Sequence, residues 1–505
     1  MALNDIIFIK GQGGLGRPLE GEDYISGLQV YTSTIPSGFS DNTPVFLGSL
    51  QDAENLGIKN DYSDATAQQD LFIVNAVGSD GDTVAITVET IDTLGLPITY
   101  TIANYTKVSG DTTTAMVCDA IVALINNNSF VTGFTAEADG TGFFLNAPKR
   151  LGLYASAFGV MPTGTINVTY EGIETAGTFS KMAVWHYHIS EFFRVQPRGE
   201  LYLNFSTSTA WNFSELQLLQ DFTGGKLRQV GVLAYERDYS AGDTTAIQNV
   251  CNTLSSQHKP MSVILSENMI ETVLSNLTDL NAFSNNNVSV IIGQDGAGLG
   301  NYLFITNLQN NSIGMIGATL GAVSLSKVSE DIAWVSKYNM SNGIELDTIN
   351  FADGTPVITT SQNLLNKLDN QRYIFLLKYV GIAGSYFNDS HCAVVITSDY
   401  AYIENNRTID KAIRGVYSSM LPNLNSPLVL NADGTLTDTT VAYFISQASI
   451  NLDQMIRDVE LSAFGVTIDP RQNVLSTSTL VISIRIVPIG VARNIIVNIG
   501  FTLSI

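Results

Sequence analysis

The chain has 505 residues, of which 25 are Lys or Arg and 47 are Asp or Glu, and its formal net charge is −22. Charged residues make up only 14% of the chain and hydrophobic residues 45%, so the sequence can bury a large core and is not a disordered chain. The acidic balance argues against nucleic acid and anionic membranes as partners, because both select for basic surfaces.

The low charge density has a second consequence for the surface. A surface that is polar but poorly ionised is readily desolvated against another protein. We therefore expect extensive self-association, and a monomer with a neutral surface is the alternative. The three cysteines, Cys118, Cys251 and Cys392, are scattered and have no CxxC spacing, which predicts neither disulfides nor a zinc site and favours a reducing cytosol. We expect no signal peptide and no membrane-spanning segment.

The N-terminal segment, residues 1–24, reads as an arm. It contains an unbroken apolar run: Ile6, Ile7, Phe8 and Ile9. A glycine-rich stretch follows this run. Such a run predicts a strand covered on both faces and tethered by a flexible leash. The string from Gly11 to Gly16 also fits the G-x-G-x-x-G dinucleotide fingerprint, but a strand-like segment follows where that site requires a helix, so we favour the leash.

The core domain begins at residues 25–70, with a strand at 25–32 and a helix near 51–56. Residues 71–169 have a different sequence pattern, which predicts short alternating strands, acidic turns and one helix that begins near Asp111 or Thr112. This stretch is predicted to form an inserted outer ββαββ domain.

Residues 170–400 contain short, continuously apolar runs separated by helical patterns, which predicts a mainly parallel sheet with helices on both faces. Residues 401–493 predict two long helices followed by strands. The expected fold is thus a multidomain α/β and α+β protein: a mainly parallel α/β core sheet, C-terminal helices and strands, the inserted domain and extended terminal β-arms.

Four acidic residues follow predicted strands of the core: Glu236, Asp238, Glu267 and Asp295. Strand ends at that edge of an α/β sheet bind ligands, and convergent carboxylates could hold a divalent cation. The alternative, which an acidic protein favours, is that they are ordinary loop residues. A glycine-rich loop at 296–300 lacks the lysine and hydroxyl of a phosphate-binding loop.

His186 and His188 have the spacing of two metal ligands on one face of a strand. No other histidine or cysteine has a matching spacing. We therefore interpret residues 185–193 as a packed aromatic strand.

A predicted helix beginning near Tyr402 has two distinct faces. The apolar residues recur at helical spacing and predict the core side: Ile409, Ile413, Val416 and Met420. The basic residues form a stripe on the opposite side: Arg407, Lys411 and Arg414. This stripe is either a solvated face or a contact for an acidic partner.

The C-terminal segment, residues 494–505, carries the clearest strand pattern in the sequence. Its apolar residues alternate with others to the last residue: Ile495, Val497, Ile499, Phe501, Leu503 and Ile505. A terminal strand this long needs a sheet to join, either in its own domain or in a neighbouring copy. The break at Pro488 to Gly490 favours the neighbouring copy.

Four further segments stand out in the second half of the chain: residues 312–323 (SIGMIGATLGAV), 328–334 (VSEDIAW), 405–414 (NNRTIDKAIR) and 481–492 (VISIRIVPIGVA). Together they resemble segments of contractile tail sheath proteins of phage tails and phage-derived injection systems. The resemblance covers about residues 180–505 and the opening arm, whereas the inserted unit departs from the minimal pattern.

The resemblance implies a non-enzymatic subunit without cofactor, metal or catalytic residues. Such subunits form a helical stack of rings around an inner tube, with baseplate and tail terminator proteins as further partners, in a particle assembled in the host cytoplasm. It also implies that the arms at 6–9 and 495–505 join neighbouring subunits and that Arg407, Lys411 and Arg414 face the tube.

Two alternatives remain open at this point. One is a metal-dependent hydrolase that uses the strand-end carboxylates. The other is a different phage tail protein, such as a tube or baseplate subunit.

Overall fold

The computed structural model describes residues 23–307 and 311–502. The predicted N-terminal arm residues Ile6, Ile7, Phe8 and Ile9, and the C-terminal residues Leu503 and Ile505, lie outside this range.

The chain starts the core, leaves it for an inserted unit and then returns. The first core elements are β1 (Ile25–Tyr31), β2 (Val45–Leu47) and α1 (Leu50–Asn55). The inserted unit contains β3 (Gln69–Ala76), β4 (Thr83–Ile91), β5 (Pro97–Thr106), α2 (Thr114–Thr132), β6 (Thr135–Asp139), β7 (Gly142–Asn146), β8 (Ala157–Pro162) and β9 (Asn167–Thr175).

The second part of the core alternates helices and strands. Its α-helices and strands begin with α3 (Lys181–Val195), β10 (Glu200–Ser206), α4 (Glu215–Phe222), β11 (Gln229–Asp238), α5 (Ala241–Ser256) and β12 (Ser262–Asn268). They continue with β13 (Ser284–Asn285), β14 (Val288–Val290), β15 (Gly293–Asp295), α6 (Leu299–Asn307), α7 (Ile316–Leu325), β16 (Ile349–Phe351), α8 (Gln362–Asn370), β17 (Leu376–Leu377), β18 (Tyr386–Phe387) and β19 (Ala393–Val394).

The core sheet has six strands in the order β14-β12-β11-β1-β10-β2. All neighbouring strands are parallel except β2, which pairs antiparallel to β10 at one edge. Every residue of β1 is buried, as expected of a central strand with both faces covered. Helices α3 and α7 pack on one face and α4 and α5 on the other, so the predicted α/β core is confirmed.

The inserted unit is larger than the predicted ββαββ domain. It consists of a four-stranded sheet, β6-β7-β3-β9, a three-stranded sheet, β5-β4-β8, and helix α2. Strands β3 and β9 pair with each other and close the unit, so it spans residues 69–175, and β3, β8 and β9 are added to the expected elements. Its own apolar cluster includes Phe72, Ile86, Ile121 and Phe143.

Helix α2 is, by length and composition, apolar enough to cross a membrane, and it is the one such helix in the part of the chain that the structure describes. The expectation that no segment passes this test was therefore wrong. Val117, Cys118, Ile121 and Ile125 of α2 are buried against the sheets of the inserted unit. This placement is typical of the core helix of a small domain.

The C-terminal domain contains α9 (Ile403–Met420), α10 (Asp438–Arg457), β20 (Leu461–Thr467), α11 (Val474–Thr477) and β21 (Ser483–Pro488). Strands β20 and β21 form an antiparallel sheet of their own. One face of this sheet, with Phe464, Val466, Ile484 and Ile486, packs on Ala412 of α9 and on Leu452 and Met455 of α10. The predicted order of two long helices and then strands is confirmed.

Candidate functional site at the chain termini

The C-terminal segment is apolar, exposed and irregular. Residues 489–502 are assigned to neither helix nor strand. Ile495, Val497, Ile499 and Phe501 are exposed, with Ile499 at 94% of its maximal accessible surface. Four large apolar side chains are thus left in solvent by the subunit itself.

The sheet next to this segment has free edges. Among the described residues, neither β20 nor β21 pairs with a third strand. The unpaired N–H and C=O groups of an edge strand are a template for another strand. The C-terminal domain therefore combines an open sheet with an exposed apolar segment.

Arg493 ties the start of the C-terminal segment to the rest of the subunit. Its guanidinium lies 2.5 Å from Glu404, 2.9 Å from Asp389 and 3.1 Å from Asp331. The guanidinium also lies 3.4 Å from the centre of the Tyr402 ring, an arrangement that favours a cation. Because Arg493 immediately precedes Asn494, this cluster determines where the segment leaves the subunit.

The carboxylates around Arg493 outnumber the cation. Burial, and then the neighbouring Glu404 and Asp389, raise the pKa of Asp331 to about 8. Residues 489–495 form one wall of a cleft of about 930 Å³, and Asp331, Trp334 and Asp389 contribute to the other wall.

A second ion-pair cluster holds Asp23, which is the first described residue and lies near the end of the predicted N-terminal arm. The Lys411 ammonium lies 2.6 Å from Asp23 and 2.6 Å from Glu460, and Arg414 lies 4.0 Å from Asp23. Burial alone would raise the pKa of Asp23, but Lys411 and Arg407 outweigh it and lower that pKa.

These contacts correct the predicted orientation of the basic helix. Arg407 is only 3% exposed, and its guanidinium donates hydrogen bonds to the Ser326 hydroxyl and backbone carbonyl. Lys411 and Arg414 pair within the subunit. The expectation that this face points away from the core is therefore wrong, and contact between these residues and a tube stays a prediction.

The apolar face of α9 is only partly buried, since Val416 and Met420 pack against apolar clusters of the C-terminal domain and the other two predicted core residues do not in the described chain. Ile413 is 43% exposed, Ile409, Val416 and Met420 are only partly buried, and the buried residues of the helix include Glu404, Arg407 and Asp410. Distant ion-pair partners hold the polar face inward.

Each strand-end carboxylate has its own partners within the chain. Glu236 lies 2.8 Å from Lys181, and Asp238 accepts a hydrogen bond from the Asn268 amide. Glu267 accepts from the backbone N–H of Ser240 and lies 3.6 Å from Arg237, while burial and the neighbouring Asp243 raise its pKa. In the described ranges, no group of three or more His, Cys, Asp or Glu side chains could hold a metal ion.

The fourth carboxylate, Asp295, occupies the glycine-rich loop. The backbone N–H groups of Ala297, Gly298 and Gly300 all donate to its carboxylate, and Leu346 donates from another loop. The loop thus uses its amides to bind an anion of its own chain rather than a phosphate.

The His186 and His188 segment is a helix, α3, and not the predicted strand. A spacing of two residues places side chains on different sides of a helix. His186 accordingly contacts Glu54, whereas His188 contacts the carbonyl oxygen of Ile313, and burial lowers the pKa of His188 to about 3. The two rings do not form a common metal site.

Asp23, Glu404 and Glu460 were not identified as functional candidates from the sequence. Their partners are far away along the chain, so no local spacing marks them. Arg493 does carry a signal, since it is a single charge inside a strongly apolar terminal stretch and must find a partner.

Solved structures that the chain resembles are sheath proteins. The helical sheath of the anti-feeding prophage in its contracted state has a TM-score of 0.44 and 14% identity, with 63% of this chain and 81% of that chain covered. The contracted PVC sheath complex of an extracellular contractile injection system gives a TM-score of 0.41 and 13% identity, covering 63% and 80% of the two chains. A sheath tail protein from Listeria innocua has a TM-score of 0.38 and 7% identity, with 92% of this chain and 91% of that chain covered.

TM-scores below 0.5 are too low to transfer a function to this chain. A search of curated proteins found no match. The profile of the DUF2586 N-terminal domain matches residues 3–391 and that of the DUF2586 C-terminal domain matches residues 399–505, so the chain belongs to the DUF2586 family.

Proposed function

We propose that this chain is the structural subunit of a contractile tail sheath. In this proposal, subunits polymerise as stacked rings around an inner tube and contract from a metastable extended state, which drives the tube through a target envelope. One observation carries the proposal: an exposed apolar C-terminal segment follows a two-stranded sheet whose edges are open in the described chain.

The subunit alone satisfies neither the exposed apolar side chains nor the open sheet edges. A buried Ile, Val or Phe side chain contributes about 1.5 to 3 kcal/mol relative to an exposed one. Adding the segment to a neighbouring sheet also supplies the backbone hydrogen bonds that an edge strand lacks. A second copy of the chain offers such an edge at β20 or β21 in every subunit.

The proposal extends to the other predicted contacts. Ile6, Ile7, Phe8 and Ile9 form a second linking strand, so each subunit joins two neighbours. The inner tube, a baseplate and a tail terminator are the further partners, and the particle is a phage tail or an injection system assembled in the bacterial host. Contraction uses the free energy stored in the lattice and needs no nucleotide.

The hydrolase alternative receives no support from the strand-end carboxylates. Glu236 and Asp295 are each engaged by other groups of the chain, and Glu267 is buried next to Arg237. Each of the three is thus accounted for by contacts within the chain.

The direct experiment is sedimentation followed by electron microscopy of the purified full-length chain. The proposal predicts fast-sedimenting material that appears as hollow cylinders. A monodisperse monomer under all conditions of concentration and salt would contradict it, and so would solid filaments of tube-like diameter.

A further inference from the structure

Both terminal segments are fastened to the same helix. Asp23, at the exit of the N-terminal segment, pairs with Lys411 of α9, and Arg493, at the root of the C-terminal segment, pairs with Glu404 of α9. Seven residues separate Glu404 from Lys411, which is about 10 Å along a helix axis.

We infer that helix α9 is a shared anchor for the two terminal arms, holding one through Asp23 and Lys411 and the other through Arg493 and Glu404. This inference rests on the proposed function in one respect, namely that the arms link neighbouring subunits. It assigns to α9 the task of keeping the two links at a constant separation.

The C-terminal anchor is centred on Arg493. Residues 489–502 belong to no helix or strand, and within this stretch the Arg493 guanidinium contacts three carboxyl groups and lies over the Tyr402 ring. Glu404 is 2% exposed at its side chain and also accepts a hydrogen bond from the Ser390 hydroxyl, so the receiving carboxylate is itself fixed. Residues 494–502 are exposed.

The N-terminal anchor has the same design. The Lys411 side chain is 19% exposed and bridges Asp23 to Glu460, which directly precedes β20. One lysine of α9 therefore connects the N-terminal exit to the open sheet. Arg407 adds a hydrogen bond from its guanidinium to the backbone carbonyl of Asp23.

A mechanical consequence follows from these contacts. Helix α9 has 18 residues and is packed against α10 and the core, so it is a rigid element. A pull on one arm then reaches the other arm through two ion-pair clusters and two turns of helix. Neighbouring subunits would remain in register because the distance between their links does not change.

The test measures the mobility of the arm root in the unassembled subunit. All three native cysteines are buried, so a spin label can be attached at the exposed position Ala492→Cys. The inference predicts a restricted spectrum in the parent and a mobile one in Arg493→Gln. Arg471→Gln is the matched control, because Arg471 is 82% exposed and pairs with nearby Asp469.

Two further variants keep the result decisive. Arg493→Lys retains the charge but loses the planar guanidinium, so the label should show intermediate mobility. This variant still tests the inference if Arg493→Gln fails to fold. Lys411→Gln should leave the label at position 492 restricted while it speeds hydrogen exchange of the amides next to Asp23. An unchanged label spectrum in both Arg493 variants would overturn the anchor.

The assembly readout separates this inference from the proposed function. If the parent forms cylinders, Arg493→Gln is expected to form fewer and less regular ones, and cylinders of unchanged order would contradict the shared anchor. If the parent forms no cylinders at all, the sheath proposal fails, whereas the label experiment still decides whether α9 holds the arm roots.

Discussion

Gly317 of α7 lies against the backbone carbonyl of His188 in α3, so close that a Cβ atom at position 317 would overlap the carbonyl oxygen. One turn later, a Cβ at Gly321 would lie 2.9 Å from the carbonyl oxygen of Phe192. Two glycines thus let α7 approach the backbone of α3 directly.

Gly317→Ala should therefore destabilise the subunit by about 1 to 3 kcal/mol, because α7 must move away from α3. The measurement is the free energy of unfolding in urea. Gly242→Ala in α5 is the matched control, since no backbone atom crowds that position and alanine is the better helix former, so it should be neutral or stabilising. Equal stability of the two variants would contradict the close packing of α3 and α7.

A pH-dependent effect is expected from Asp331. Its folded pKa of about 8 lies above the ordinary value of 3.8, so folding is favoured when this group is protonated. The contribution is fully present below about pH 4 and is lost as the pH rises to about 8. Asp331→Asn removes this titration, so the variant should gain stability relative to the parent between about pH 5 and about pH 8.

The readout for Asp331 is the difference in unfolding free energy across that pH range. Glu404, Asp389 and Arg493 face the same group and are present in both proteins. Asp399→Asn, at an exposed position, is the matched control. A difference that does not change with pH for Asp331→Asn would contradict the assigned pKa shift.

The parts of the fold that depend on local pattern were predictable, and those that depend on distant partners were not. The unbroken run at 230–235 predicts a central parallel strand, and β11 is one. The basic stripe of α9 was misoriented because Asp23, the partner of Lys411, lies 388 residues away along the chain. The aromatic segment around His186 is predicted as a strand, although Ser180 caps the N-terminus of helix α3 there.

The inserted unit should be removable. Gln69 of β3 pairs with Thr175 of β9, so the two ends lie side by side and a short Gly/Ser linker can replace the residues between them. Tyr302 of α6 packs on this unit and would be exposed, so the variant also carries Tyr302→Asn. We expect a soluble chain that still polymerises, as measured by sedimentation. Insoluble protein would show that the core needs the unit.

The N-terminal arm should matter for assembly and not for folding. Ile7→Asp combined with Ile9→Asp places charge in the predicted strand and should abolish polymerisation while the unfolding midpoint stays the same. Asn4→Asp with Gln12→Asp adds the same charge outside the apolar run and should leave assembly intact. A large loss of monomer stability in the first variant would place the segment in the subunit's own core.

The most direct test of the central claim is electron microscopy of a chain that lacks residues 494–505. The side chains of Ile495, Val497, Ile499 and Phe501 are exposed in the subunit, so deletion should change its unfolding free energy by less than about 0.5 kcal/mol. The account predicts a folded subunit that no longer forms cylinders. Cylinders of normal length and order from the truncated chain would contradict it.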